Sequence, residues 1–155
     1  MPSDLLRVFL IGDIIGRYGR KFLKEILPLL KKKYKPKLII ANGENAAGGI
    51  GITRKTAEEI LNTGVHIITT GNHVWDKKEA LELLKVENQI IRPMNFPPSN
   101  PGEGFIEFET ADKTKVVIVN LQGRVFMEPV VENPFITIDK FLNKNKYSNI
   151  IIVDF

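Results

Sequence analysis

The chain has 155 residues, of which 43% are hydrophobic and 26% charged, with a formal net charge of +4 and no cysteine. This composition is typical of one globular domain and excludes disulfides and thiolate metal sites. No apolar run is long enough to span a membrane and no signal peptide is recognisable, so the sequence predicts a cytoplasmic protein without a membrane segment.

The first half of the chain alternates short apolar strands with amphipathic helices. The predicted strands cover residues 7–11, 37–41 and 65–69, and the predicted helices cover residues 17–34 and 54–62, with a third helix after residue 76. Because near-continuous apolar strands alternate with helices, the sequence predicts an α/β fold with a mostly parallel sheet and flanking helices.

Several residues predict where these helices begin, bend and end. Thr53 is a predicted N-cap of the second helix, and Asp76 of the third, where Glu79 completes a capping-box pattern. Pro28 lies inside the first helix and predicts a kink. The lysines that follow at 31–33 suit the negative end of the helix dipole, with binding of an anionic partner such as RNA as the alternative.

The pattern changes after a loop rich in proline and glycine at residues 93–104. Residues 105–109 and 115–120 predict an antiparallel β-hairpin. A short helix at 138–143 and a last strand at 149–153 follow.

Polar side chains follow each of the first three predicted strands, and each group is preceded by glycine. These residues are Asp13, Glu44 with Asn45, and Asn72 with His73. Since ligands bind at the carboxyl ends of parallel strands, these side chains should converge at one edge of the sheet. Carboxylate, amide and imidazole groups suit Mn²⁺, Fe or Zn²⁺, and two such ions could hold a phosphoryl group. The alternative is loop capping and turn hydrogen bonding.

Six segments, in chain order, closely resemble the YmdB family of calcineurin-like metallophosphoesterases: LIGDIIG, NGENAAGG, TTGNHVWDKKE, RPMNFP, PGEGF and VVIVNLQGRVF. The resemblance implies the N-terminal portion of an α/β/β/α sandwich that hydrolyses 2′,3′-cyclic nucleotides. It implies that Asp13, Glu44, Asn45 and Asn72 bind two divalent metal ions, and that His73 is the proton donor. It also implies an oligomer and a link to RNA turnover.

Members of that family continue beyond the position that matches Phe155, and further metal-binding histidines lie there. This chain has only His66, predicted to be structural, and His73. We therefore expect an incomplete metallophosphoesterase domain over residues 1–155, with a half-formed two-metal site and impaired activity. The expected partner is either a second copy of the chain or a complementing C-terminal half.

Three residues outside the strand ends are candidates for phosphate binding, namely Arg92, Arg124 and Gly49. Ion pairing is the alternative for the arginines, and a simple turn is the alternative for the glycine.

Two other functions stay open for the whole chain. One is a non-catalytic half that acts as an assembly or interaction module through exposed sheet edges. The other is a nucleotide-binding module without turnover.

Overall fold

The computed structural model describes residues 5–144 and 150–155. Its elements, in chain order, are β1 (Val8–Ile11), α1 (Gly16–Tyr34), β2 (Leu38–Asn42), α2 (Arg54–Leu61), β3 (Ile67–Thr69), a 3₁₀ turn (Asn72–Trp75), α3 (Ala80–Val86), β4 (Ile90–Ile91), β5 (Phe105–Glu109), β6 (Lys115–Asn120), α4 (Pro134–Lys144) and β7 (Ile151–Asp154). The predicted α/β class is confirmed. None of the helices in these ranges has the length and apolar character needed to cross a bilayer.

The first four strands form one parallel sheet in the order β1-β2-β3-β4. Leu10 is paired with Ile40, and Ala41 with Ile68, so the carboxyl ends of β1, β2 and β3 lie side by side. Strand β4 was not predicted because two residues are too few to show a period.

The second sheet has the order β5-β6-β7. Strands β5 and β6 form the predicted antiparallel hairpin, with Ile106 opposite Ile118, and β7 runs parallel to β6. The predicted last strand includes residue 149, which lies outside the described residues, and the strand observed is Ile151–Asp154. The side chain of Asn120, at the end of β6, donates a hydrogen bond to the Thr70 carbonyl at 2.7 Å and so joins the two sheets.

Three apolar clusters show how the layers stack. Leu23 of α1 and Ile60 of α2 pack with one face of the parallel sheet. Ile40, on the opposite face, packs against Ile118 of the second sheet. Phe141 of α4 covers the outer face of that second sheet. The layers are therefore helix, sheet, sheet and helix, as alternating inward and outward strand residues require.

The helix ends confirm one predicted cap and correct another. Thr53 caps α2, since its hydroxyl accepts from the Thr56 amide at 3.2 Å while the Thr56 hydroxyl accepts from the Thr53 amide at 2.9 Å. The predicted cap at Asp76 is wrong, because α3 begins at Ala80 after Glu79, which makes no capping side-chain bond. The Asp76 carboxylate contacts His73 instead.

Two other helices differ from or extend their predicted spans. Helix α4 begins four residues earlier than predicted, at Pro134. Proline is favoured at the first helical position, and the Asn133 side chain accepts hydrogen bonds from the amides of Phe135 and Ile136. Helix α1 continues through Pro28 as one element.

Candidate active site

The loops that follow β1, β2 and β3 are joined by backbone hydrogen bonds. The Ile14 amide donates to the Asn42 carbonyl at 3.0 Å, the Gly43 amide to the Thr69 carbonyl at 2.9 Å, and the Gly16 amide to the Asn45 carbonyl at 2.9 Å. Because the three strands are parallel neighbours, the residues after their carboxyl ends are brought to one edge of the sheet. We call this edge, with Asp13, Glu44, Asn45, Asn72 and His73, the rim.

Two of the rim loops are in direct side-chain contact. The amide nitrogen of Asn45 donates to a carboxylate oxygen of Asp13 at 2.7 Å, although the two residues are 32 positions apart. This bond orients Asp13 and leaves the Asn45 amide oxygen available to a ligand.

The carboxylate of Glu44 lies against the backbone of Gly71, immediately before Asn72. A Cβ at Gly71 would come within 2.1 Å of Glu44 Oε2, so only glycine leaves room for the carboxylate there. The backbone amide of His73 also points at Glu44 Oε2, with a long separation of 3.5 Å. The second and third loops of the rim are thus in close contact through Glu44.

The electrostatics of Glu44 show a concentration of negative charge at the rim. Burial raises the pKa of the Glu44 carboxyl, and the carboxylates of Asp13 and Asp154 raise it further. The backbone hydrogen bond from His73 and the His73 charge act in the opposite direction. A half-buried acid with two like charges in range is a place where a cation would stabilise the ionised form.

His73 is held by a residue that the sequence had assigned to another role. Its Nδ1 lies 2.6 Å from the Asp76 carboxylate, and the two side chains are 35% and 43% exposed. In a 3₁₀ turn, side chains three positions apart lie on the same side, which explains the contact. The sequence signal that could have predicted this contact is the spacing, because Asp76 is an acid three residues after the candidate histidine His73. With Nδ1 engaged, Nε2 is the nitrogen left for a substrate.

The rim offers oxygen donors for part of a metal-binding set. Among residues 5–144 and 150–155, no group of three or more His, Cys, Asp or Glu side chains is placed to hold a metal ion. Asn45 and Asn72 could add amide oxygens to the carboxylates of Asp13 and Glu44, and such oxygens suit hard and borderline divalent ions. The residues present therefore fit a metal ion in part.

Arg92 directly follows β4, the parallel neighbour of β3, but its side chain turns into its own loop. The residue is 5% exposed, and its guanidinium donates to the carbonyls of Pro93, Asn100 and Pro101 at 2.9, 3.4 and 3.3 Å. All these partners belong to the loop after β4. The placement favours a structural role for Arg92 over phosphate binding.

Gly49 and Arg124 are both exposed, at different places on the molecule. Gly49 has a φ of +98° and lies in the loop after the rim, where its amide nitrogen would be 3.5 Å from a Cβ placed on Gly16. Arg124 lines an apolar cleft of about 520 Å³ together with Phe135 and Phe155. Of the two, only Gly49 belongs to a loop that also carries rim residues.

His66 has the structural role that the sequence predicted. Its Nδ1 accepts a hydrogen bond from the Ile39 amide at 3.1 Å, and its ring stacks on Phe108 with a centroid separation of 5.2 Å. Burial, together with the nearby Lys31 charge, lowers the pKa of the ring.

The fold matches solved structures at high similarity. A structure from Mycoplasma pneumoniae described as a novel phosphatase superimposes with a TM-score of 0.88 at 35% identity, covering 96% of this chain and 54% of that one. A structure of a hypothetical protein from Thermus thermophilus superimposes with a TM-score of 0.86 at 37% identity, covering 95% of this chain and 56% of that one. The fold is therefore one found in a phosphatase.

The sequence comparisons identify the family. The YmdB-like protein family profile matches residues 9–155, so the chain belongs to that family. The 2′,3′-cyclic-nucleotide 2′-phosphodiesterase of Bacillus subtilis (strain 168) is 41% identical over 151 residues, which are 97% of this chain and 56% of that protein. The chain thus spans about half the length of this relative.

Proposed function

We propose that the chain carries part of the active site of a metal-dependent phosphodiesterase that hydrolyses 2′,3′-cyclic nucleotides or related phosphodiesters. The observation that carries this proposal is the meeting of Asp13, Glu44 and His73 at one edge of the parallel sheet, with Asp76 on Nδ1 of His73. The name of the Bacillus subtilis relative supports the cyclic-nucleotide substrate.

The proposed metal site uses the oxygen donors of the rim. Asp13, Glu44, Asn45 and Asn72 would hold divalent ions of Mn, Fe or Zn, and further donors would come from outside the described residues, from a complementing segment or another copy. When bound, such ions neutralise phosphoryl oxygens and lower the pKa of a bound water. The bond from Asn45 to Asp13 fixes that carboxylate before an ion arrives.

His73 is the proposed proton donor to the leaving ribose oxygen. The Asp76 carboxylate is engaged with Nδ1, so Nε2 is the ring nitrogen proposed to transfer the proton. The same contact restricts rotation of the ring and so directs Nε2.

A chimera tests the proposal. Residues 1–155 are fused to the part of the Bacillus subtilis relative that lies outside the match, and hydrolysis of 2′,3′-cyclic AMP and bis-p-nitrophenyl phosphate is measured with and without Mn²⁺. We expect Mn²⁺-dependent hydrolysis that Asp13→Asn and His73→Ala reduce by about 10²-fold or more. Asp139→Asn, a substitution of an acid on α4 away from the rim, is the matched control.

Two results of that assay would contradict the proposal. One is full hydrolysis in the His73→Ala and Asp13→Asn chimeras. The other is binding of the cyclic nucleotide at the rim without any turnover, which would favour the nucleotide-binding module. The unfused chain, assayed in parallel, is expected to be much less active than the chimera, because it offers only part of the ligand set.

A second candidate function is an assembly or interaction module. Phe135 and Phe155 are each 67% exposed beside the apolar cleft, with ring centroids 5.9 Å apart, and among the described strands β7 is at the edge of its sheet. Exposed apolar groups next to a strand edge favour association. Two results together would favour this candidate. The chain would show concentration-dependent sedimentation that Phe135→Ser abolishes, and the chimera would show no phosphodiesterase activity.

A further inference from the structure

A groove lies between α1 and α2, outside the rim. It has a volume of about 710 Å³ and is lined by Arg17, Arg20, Lys21, Lys24, Lys55 and Glu59. The charged lining thus consists of five cations and one carboxylate, whereas the chain as a whole has 22 basic and 18 acidic residues. The positive charge is therefore concentrated far beyond the average of the chain.

Three of the cations form a regular row along α1. Arg17, Lys21 and Lys24 occupy positions i, i+4 and i+7, which lie on one side of a helix. Successive members are about one helical turn apart, roughly 5 Å along the axis. Lys55 faces them from α2, so the cations line two walls.

Arg20 and Glu59 join the two walls of the groove. Arg20 Nε donates to Glu59 Oε2 at 2.6 Å, and Arg20 Nη1 donates to the Ala46 carbonyl. The hydrogen bond from Arg20 lowers the pKa of Glu59, whose charge is thus matched by Arg20. Lys21 has a solvent-exposed contact with Glu25 at 3.9 Å, which is of small energy. Within residues 5–144 and 150–155, Arg17, Lys24 and Lys55 form no ion pair, although the charges of Lys24 and Lys55 also act on Glu59. These three side chains can therefore contact an external anion.

The groove begins beside the rim. Arg17 lies four residues after Asp13, and Arg20 binds the carbonyl of Ala46, two residues after Glu44. At its other end the groove reaches Asn62 and Thr63. A flexible polyanion at the rim could therefore continue into the groove.

We propose that the groove binds the phosphate backbone of single-stranded nucleic acid. A regular row of lysine and arginine suits a chain with one negative charge per repeat. The lining includes no aromatic side chain on which a base could stack, so the binding would be independent of sequence. The preference for nucleic acid over an acidic peptide rests on the proposed function, because the neighbouring rim is suited to a phosphodiester.

Fluorescence anisotropy tests the proposal on the whole 155-residue chain. A labelled oligouridylate of about twelve nucleotides, close to the length that single-strand sites hold, is titrated in EDTA at several salt concentrations. The variant combines Lys21→Gln, Lys24→Gln and Lys55→Gln, all at exposed positions. The control combines Lys85→Gln, Lys140→Gln and Lys144→Gln, which remove the same charge elsewhere, and Lys→Arg at the three groove positions is a second control.

We expect the groove variant to bind the oligonucleotide at least about tenfold more weakly. The slope of log K against log salt should become less negative by about two, because three phosphate contacts disappear. Both controls should bind nearly as well as the unchanged chain. Equal weakening of binding by the remote triple substitution would overturn the proposal. The proposal would also fail if a polyglutamate peptide of equal charge competed as strongly as the unlabelled oligonucleotide.

The binding experiment tests the groove and the hydrolysis experiment tests the proposed function, so each proposal can fail while the other stands. Groove-dependent binding together with an inactive chimera would leave the groove assignment standing and remove the proposed function. Hydrolysis by the chimera without groove-dependent binding would remove the groove assignment alone.

Discussion

Asp76 lies on the surface, yet its carboxylate is 2.6 Å from His73 Nδ1 and makes no capping bond to α3. Asp76→Asn should therefore reduce the kcat of the chimera about 10- to 100-fold, because an amide in place of the carboxylate would hold the orientation and tautomer of the His73 ring less firmly. The melting temperature should stay unchanged, since no helix cap is lost. A large drop in melting temperature with normal kcat would show that Asp76 is structural.

Gly71 leaves space for the Glu44 carboxylate. Gly71→Ala should displace that carboxylate and weaken Mn²⁺ binding to the chimera about tenfold or more, measured by the EPR signal of free Mn²⁺. Gly12 is the matched control, because it also precedes a rim residue but a Cβ added there would have no heavy atom within 4 Å. Equal affinities in the two variants would contradict the proposed role of Glu44.

The half-buried ring of His66 makes stability depend on pH. Its pKa is lowered in the folded state, so the unfolded chain takes up the proton first as the pH falls. The stability contributed by the neutral ring is present above the unfolded pKa, near 6.5, and is lost as the pH falls from there towards the folded pKa.

His66→Asn provides the comparison, since the Asn oxygen can replace Nδ1 as acceptor for the Ile39 amide but does not titrate. Urea unfolding at about pH 7.5, 6.0 and 5.0, on either side of the unfolded pKa, should show a smaller fall in the free energy of unfolding for the variant than for the unchanged chain. Parallel curves would show that His66 does not contribute to the acid sensitivity.

At the scale of elements, prediction succeeded where a local pattern decided the structure. The hairpin of β5 and β6 was found at its observed bounds because its strands are enriched in β-branched and aromatic residues and joined by a short polar turn. The start of α3 was placed too early, because the Asp76 side chain had a competing partner in His73. A capping motif predicts a helix start only when its acid is free to cap.

Thr53 is the cap that the structure retains. Thr53→Ala should lower the free energy of unfolding by about 1 kcal/mol, because the Thr56 amide loses its hydrogen-bond acceptor. Chemical denaturation followed by circular dichroism measures the change. Thr137→Ala, inside α4, is the control and should cost less. Equal losses would indicate that the cap contributes nothing specific.

At the scale of the whole molecule, the two sheets share one apolar interface. Ile118 of β6 is fully buried there against residues of the parallel sheet, whereas the only tryptophan, Trp75, lies on the other side of that sheet. If the layers unfold as one unit, a cavity at Ile118 lowers the stability of the whole domain, and the unfolding transition seen by Trp75 fluorescence shifts with it.

Ile118→Ala should destabilise the chain by about 2–5 kcal/mol, and Trp75 fluorescence and circular dichroism should report the same shifted transition. Leu10→Ala is the control, because Leu10 is 63% exposed and its truncation should cost little. Separate transitions for the two probes would show that the sheets unfold independently.

The sequence alone determined the class of the fold, most strands and helices, and the set of polar residues after the first three strands. Periodicity is a local property, and parallel strands have their carboxyl ends on one edge whatever their spacing in the chain. Only the tertiary structure decided that Asp76 binds His73, that Arg92 turns into its own loop, and that Arg20 and Glu59 join α1 to α2 across 39 residues. Such contacts depend on how side chains choose among competing partners once the layers have packed, and no local pattern records that choice.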